Sequence, residues 1–438
     1  MKAILLAAGR STRMAPIGDK NFLDFCGKPL LQWQLESLID AGFDEVAIVY
    51  GAHNLEKIEK LAGAYDGVSI VEQKDLDAGM CGAVLAAKEF ISGDAVLVFS
   101  SNDVVDGKAF ELVRDAAKSG DADSYIIGKK VTEYFPGGYL ETDKDEMISG
   151  IVEKPEPGTE PSDLVNLVVH LHKNEAGLVE HLEKVSSGKD DLYEVALDNM
   201  IKGGVKMKAV SYDGFWQPIK FPWHVNKVFR YFFDKSEKTI SKDAQISDNA
   251  IVNGDVIIEY GAKIFDGAIV NGPAYIGKGA VVATNALVRD SQVGENCVIG
   301  FSTEVARSYL GHDVWTHSNY LGDSVIGNNV SFGAGVVTGN LRLNEGNVHV
   351  DFDGDKYDTQ TNKFGMICGD NVRFGINCSV MPGIKIGSDS FVGAGIVVGQ
   401  NIPDGSFVRG KWELKISENK EKADIAGRDE IKKNLGKV

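Results

Sequence analysis

The apolar positions of this 438-residue chain change rhythm once, near residue 240. Before that point they come in short runs. Residues 2–7 are apolar and lead into the turn Ala8-Gly9-Arg10-Ser11-Thr12, the pattern of a buried strand that stops abruptly. A stretch at about 29–41 sets Leu30, Leu31, Leu35 and Leu38 on one helical face, and Val46-Ala47-Ile48-Val49-Tyr50 reads as a second strand. Further runs at 68–71 and 95–99 flank a helix at about 82–90. Strands alternating with helices predict an α/β layer with parallel strands, continuing to about residue 235.

The second rhythm has a period of six. A small or aliphatic residue recurs at Ala244, Ala250, Val256, Ala262, Ala268, Ala274, Ala280 and Ala286. An aliphatic follows two places later each time, at Ile246, Val252, Ile258, Ile264, Val270, Ile276, Val282 and Val288. The run resumes at Phe374, Val380, Ile386, Val392 and Val398, and its phase slips around Val293, Ile299, Leu310, Ile326 and Phe332. Such hexads predict a left-handed parallel β-helix over 236–411, each hexad one short strand and one corner, stacked coil on coil. Residues 341–366 interrupt it with polar, acidic sequence, expected as a loop thrown out over a site. The charged tail 412–438 is expected to be a solvated helix.

Composition narrows the choices. A net charge of −17 disfavours nucleic acid or an anionic membrane as partner, yet leaves room for a phosphorylated small molecule at a local cluster such as Arg10, Arg13 and Lys20. The five cysteines are scattered with no CxxC pair, so neither a disulfide framework nor a zinc knuckle is indicated. No apolar stretch approaches the ~20 residues of a membrane span, and the short apolar start is not a signal peptide, so the expected compartment is the cytoplasm.

The turn after the first strand carries the chemistry. In Leu6-Ala7-Ala8-Gly9-Arg10-Ser11-Thr12-Arg13-Met14, with Pro16 and Lys20 beyond, backbone N–H groups at Ala7, Ala8 and Gly9 are expected to approach a triphosphate. Arg13 can fork onto phosphate oxygens and Lys20 can act as a point charge at the transferring phosphorus. This string, followed by Phe22-Leu23-Asp24-Phe25-Cys26-Gly27-Lys28-Pro29-Leu30, resembles the sugar-1-phosphate nucleotidylyltransferase signature. The resemblance implies a Rossmann-like nucleotidyltransferase domain over 1–235, a three-layer α/β fold around a mostly parallel sheet. It implies an NTP, UTP or dTTP, and a sugar 1-phosphate as substrates. Gln73 and Gly79 resemble the base-reading segment, with the Gln73 amide offering donor and acceptor to a pyrimidine edge. Asp103 resembles the aspartate that holds Mg²⁺ on the α-phosphate. Gly138, Glu153, Lys154 and Asn166 resemble the sugar-binding positions.

Departures stand beside these matches. Ser11 replaces the usual second glycine and Asp19 a proline. Trp216-Gln217-Pro218-Ile219-Lys220 stands where relatives have W-x-D-x-G, whose aspartate is the second metal ligand, so Asp213, a water or Lys220 must compensate, or activity is impaired.

In the hexad region, His317-Ser318-Asn319-Tyr320-Leu321-Gly322-Asp323, then Gly333-Ala334-Gly335 and Asn340, resembles the acetyltransferase half of bifunctional enzymes of the archaeal type. There the histidine is general base for amine attack on acetyl-CoA, a task that suits an imidazole. The resemblance also implies a homotrimer, or a multiple of three, with His317, Tyr320 and Asn340 at a subunit groove. Two other readings stay open: a nucleotide- or sugar-binding protein with impaired catalysis and a scaffold coil, and an acetyltransferase alone.

Overall fold

Strand Lys2–Leu6 lies at the centre of a nine-stranded sheet, parallel to Val96–Ser100 on one side and Glu45–Tyr50 on the other. The computed structural model describes residues 1–187, 191–411 and 413–420, with 428, 432 and 433. Val68–Glu72 closes one edge of the sheet in parallel. On the far side Leu164–His172 enters antiparallel and carries Gly138–Thr142, Ile148–Glu153 and Ser124–Lys130 with it.

Alternation along the central strand explains the layers. Ala3 and Leu5 point to one side and pack with Leu31, Leu35, Leu38 and Phe110. Ile4 and Leu6 point to the other and pack with Val84, Ile91, Leu178 and Leu197. A strand flanked by helices on both faces must be apolar on both, which is why residues 2–6 show no polar alternation beyond Lys2. The expected helix forms over Leu30–Asp40 and the one at about 82–90 as Gly79–Ala86 and Lys88–Ile91.

Beyond residue 240 the chain winds as stacked parallel strands on three faces. Ile264 pairs Val282, Val270 pairs Val288, and Ala274 pairs Ser291 in the coil above. Both members of each hexad pair turn inward: Ala262, Ile264, Ala268, Val270, Ala280 and Val282 are all buried in one continuous core. The phase slips have a structural cause. The first coils repeat every eighteen residues, as Gln245 with Lys263, but Val282 pairs Ile299 and Val305 pairs Leu321, seventeen and sixteen residues on. Corners absorb the shortening, so Ile299, Leu310, Ile326 and Phe332 remain in the core.

Two parts of the sequence reading need correction. Residues 341–366 are an insertion, since Val325 pairs Ile367, and they leave and rejoin the coil beside Asn340 and Asp323, where the Phe364 and Gly365 N–H groups donate to those two carbonyls. They contain an antiparallel hairpin, His349–Phe352 with Asp355–Asp358, whose Val350, Phe352 and Tyr357 pack toward the first 235 residues. The ring of Phe352 lies 5.8 Å from Phe221 and 6.2 Å from Trp223, and Tyr357 lies 5.0 Å from Phe221. Val350, Phe352 and Tyr357 share one face of the hairpin, and its rings Phe352 and Tyr357 pack against the aromatic segment after Lys220. In the tail, residues 413–420 carry no helix; most of the expected helix over 412–438 lies outside the described residues.

The same cluster joins both halves of the chain. Met14, Phe25, Phe229, Phe232 and Phe233 pack with Ile257, Tyr275, Tyr309, Val325 and Ile367 of the coil. Polar contacts lock it: the Gln292 amide donates to the Asp24 carbonyl and accepts from the Cys26 N–H.

Candidate active site

A cavity of about 540 Å³ opens at the carboxyl ends of Lys2–Leu6 and Val96–Ser100, where ligands sit in open parallel sheets. Ala8, Gly9, Arg13, Gln73, Gly79, Asp103, Gly138, Glu153, Lys154 and Asn166 all line it. Ala7, Lys20 and the three coil residues do not.

One wall is built by the first turn. Among the described residues the N–H groups of Ala8, Gly9 and Arg10 donate to no backbone carbonyl, so they stay available to an anion. A Cβ added at Gly9 would meet nothing within 4 Å, so the fold itself does not demand glycine there. Ser11 adopts φ 53°, the left-handed conformation in which a glycine is at ease, and its hydroxyl reaches Asp19. Ala7 departs from expectation: its N–H donates to Val49 and its carbonyl accepts from Asn21 and Asn54, so strand continuation and loop anchoring use both groups.

Arg13 is exposed on the cavity wall, and Arg10 spans the opening to pair with Asp77 at 2.6 Å. Lys20 is buried behind the wall, 8% exposed, with its ammonium donating to the Ile219 carbonyl. Burial pulls its pKa down to about 8, against the raising influence of Asp103 and Asp19. Lys20 therefore acts on the cavity through the field at Asp103 rather than from the lining.

Asp103 is held by Trp216, whose indole N–H donates to Oδ1 at 2.9 Å. Desolvation raises its pKa, and the charges of Lys220 and Lys20 oppose that rise. Directly across the strand pair from Asp103 stands Pro218. Asp213 is exposed beside Lys129 and outside the lining, whereas Lys220 lines the cavity, over the Phe135 ring at 4.5 Å and bonded to the Pro136 carbonyl. Of Asp213 and Lys220, it is Lys220 that lines the cavity. Its position was legible in the sequence, but not its approach to Asp103, which needs the Asp103–Val105 and Trp216–Pro218 strands to pair.

On the Leu76–Met80 wall Gln73 behaves differently from expectation. Its amide N–H₂ donates to the carbonyls of Asp75 and Gly79 at 2.9 and 2.8 Å, so its donor capacity is spent on the loop. Gly79 takes φ 54° and ψ −142°, a conformation open to glycine alone, and this turns its carbonyl onto Gln73. Met80 and Leu76 join the wall.

A further wall comes from three adjacent strands. Gly138 pairs Glu153, and Tyr139 pairs Val165 next to Asn166. A Cβ at Gly138 would stand 2.9 Å from Glu153 Oε2 and 3.5 Å from Asn166 Cβ, so glycine lets these two side chains converge. Lys154 folds back on Glu153 at 3.0 Å. Tyr193, Asp191 and Glu194 complete this wall, and the sequence reading missed all three.

On the coil, Tyr320 and Asn340 meet, amide to hydroxyl, at 3.1 Å. Asn340 also donates to Asp323, which takes a two-pronged bond from Arg307 at 2.6 and 2.7 Å. His317 is exposed at the preceding corner.

The fold and cavity define a phosphate-handling α/β transferase domain continued into a hexapeptide-repeat coil. The nucleotidyl transferase family model matches residues 2–219, and that of the hexapeptide repeat of succinyl-transferase matches 366–400. A bifunctional sugar-1-phosphate nucleotidylyltransferase/acetyltransferase of Sulfurisphaera tokodaii is 33% identical over 417 residues, 93% of this chain and 100% of the relative. The bifunctional protein GlmU of Methanococcus maripaludis strain C5 is 35% identical, covering 96% of this chain and all of the relative. That of Methanocaldococcus jannaschii is 33% identical, covering 94% and 98%. This chain belongs to the family of bifunctional sugar-1-phosphate nucleotidylyltransferase/acetyltransferase enzymes.

Proposed function

We propose that the chain transfers a nucleotidyl group from UTP or dTTP to a sugar 1-phosphate. The observation that carries this is the single cavity in which the Gly9 turn, Arg13 and Asp103 face Gly138, Glu153 and Asn166. A phosphate oxygen of the sugar 1-phosphate attacks the α-phosphorus, the bond from that phosphorus to the β-phosphate oxygen breaks, and pyrophosphate leaves. Arg13 and the turn N–H groups hold the triphosphate, and Lys20 and Lys220 bias the field toward the developing charge. The residues present suit Mg²⁺ held by one carboxylate, Asp103, with substrate phosphates completing its shell, as is usual for this ion. When bound it neutralises charge on the α-phosphate. Among the described residues no cluster of three or more His, Cys, Asp or Glu side chains offers a fuller cage. Pyrophosphate release across a panel of NTPs and sugar 1-phosphates tests the reading; no release with any pair overturns it.

The units we infer are 1–235 and 236–411, the second a left-handed β-helix. Homotrimer formation is supported by the exposed apolar pair Phe391 and Phe407 on one face and exposed Val397 on another. Acetyl transfer from acetyl-CoA to an amino-sugar 1-phosphate is the second activity. His317 is its base, with Tyr320 and Asn340 set by Asp323 and Arg307. His317 is exposed on its own chain, so this site needs a neighbouring subunit to enclose it. Acetyl-CoA consumption that disappears in His317→Ala, in a protein of trimer mass by light scattering, is the expected result. The reading sets both reactions in the cytoplasm, supported by five unpaired cysteines. Among the described residues no helix is long and apolar enough to cross a membrane.

A further inference from the structure

Strand Leu164–His172 contains an anomaly that the reaction as described does not use. Residues four apart in a regular strand lie roughly 13 Å apart along the chain. Yet Asn166 Oδ1 and His170 Nε2 are 2.8 Å apart. The register shows how. Asn166 pairs Gly128 but His170 pairs Ile126, so four steps on this strand oppose two on its neighbour. The bulge over Leu167–Val169 folds the strand back on itself, and the His170 ring, which also bonds the Leu167 carbonyl, clasps it.

Behind His170 the contacts continue in a line. His170 Nδ1 meets the Tyr193 hydroxyl at 3.1 Å, that hydroxyl meets His172 Nε2 at 3.2 Å, and His172 Nδ1 meets Ser124 Oγ at 2.9 Å. His170 and His172 are 0% exposed, and Tyr193 and Ser124 are 1% and 2%. Burial drives the pKa of the two imidazoles down to about 3 and about 4, so both are neutral at any working pH. A neutral imidazole has one donor and one acceptor. With Asn166 Oδ1 turned to the ring, Nε2 of His170 must donate. Nδ1 is then bare and accepts from Tyr193, Tyr193 accepts from His172 Nε2–H, and His172 accepts from Ser124. Every polar atom of the line then has a partner, and the Ser124 hydroxyl closes it.

We propose that this buried Ser124–His172–Tyr193–His170 line is a positioning device that locks Asn166 with its amide N–H₂ toward the cavity. The site thereby reads a hydrogen-bond acceptor on the sugar, an acetamido carbonyl or a hydroxyl oxygen. The amide nitrogen lies on the Gly138 side, where a Cβ would stand 3.6 Å from Asn166 Nδ2 and 2.9 Å from Glu153 Oε2. The inference rests on the reading of Asn166 as a sugar contact, and it makes His170, which touches no substrate, a specificity-setting residue.

The experiment is a double-mutant cycle on pyrophosphate release, with KM measured separately for sugar 1-phosphate and NTP. Asn166→Ala and His170→Leu should each raise the sugar KM about tenfold, the scale of one oriented hydrogen bond, and leave the NTP KM within about twofold. His170→Leu on top of Asn166→Ala should add nothing, because the first acts only through the second. His170→Gln, whose amide nitrogen overlays Nε2, should recover most of the loss and guards against a misfolded leucine variant. If Asn166→Ala leaves the sugar KM unchanged, the sugar-contact reading falls and the device with it. If Asn166→Ala raises it but His170→Leu does not, or if the two losses add, the sugar contact stands and the positioning line is overturned.

Discussion

Pro218 stands opposite Asp103 in a two-strand antiparallel pair, with the Trp216 indole bonded to the same carboxylate. Side chains at directly opposed positions share a face, with Cβ atoms about 5 Å apart. The pair therefore has the spacing of a two-carboxylate clamp with only one carboxylate present.

That spacing gives the first expectation. Asp103→Asn should lower turnover by at least about a hundredfold, as expected for a group that organises charge at the reacting phosphorus. Pro218→Asp should shift half-maximal activity to several-fold lower Mg²⁺. A magnesium titration of pyrophosphate release reads both; an unshifted midpoint in Pro218→Asp would show that the opposed position faces away from the ion.

Gly9 separates fold from function. A methyl group there meets no protein atom, so Gly9→Ala should melt within about a degree of the parent chain. It should nonetheless raise the NTP KM tenfold or more, because the methyl occupies the approach of the triphosphate to the turn. Calorimetry and kinetics on the same preparation check the two halves.

Lys20 carries a pH signature with opposite signs for activity and stability. Its folded pKa of about 8 lies below the ordinary 10.5. Between those values the unfolded chain binds the extra proton, so stability rises with pH across the window and is lowest below it, by roughly 3 kcal/mol from this residue. The charged form is the useful one in transfer, so kcat/KM should fall as pH passes through about 8. Lys20→Met should flatten the stability rise between pH 8 and 10 and abolish most turnover. Thermal melts and rate profiles over pH 7–10 measure both.

The 349–358 hairpin makes a different demand. Phe352 is 8% exposed and packs on Phe221 and Trp223, next in sequence to Lys220. Phe352→Ala should cost about 3 kcal/mol by leaving a cavity, and should raise the NTP KM by loosening Lys220. The KM for acetyl-CoA should not change. A selective loss of acetyl transfer would instead assign 341–366 to the coil site as its cover.

Local pattern was enough to read much of this protein. Hexad spacing declared the coil because each hexad turns in one small and one aliphatic residue, whatever the rest of the chain does. The strand–turn start and the place of Gly9 and Arg13 on the cavity wall were legible because strand, turn and charge are neighbours in sequence. What stayed hidden depends on partners brought from afar. Ala7 left the site because Val49, Asn21 and Asn54 claimed its backbone, and Gln73 lost its donors to Asp75 and Gly79. The hairpin of 341–366 looked like a polar lid because its alternating apolar face is short, and only the aromatic surface at Phe221 and Trp223 gives that face somewhere to bury. The Asn166–His170 contact required a bulge, and a bulge is decided by pairing with Gly128 and Ile126, forty residues away. Backbone and amide groups bond whichever acceptor or donor the fold delivers, so their final use is a property of the tertiary structure, while periodicity and turn chemistry belong to the sequence.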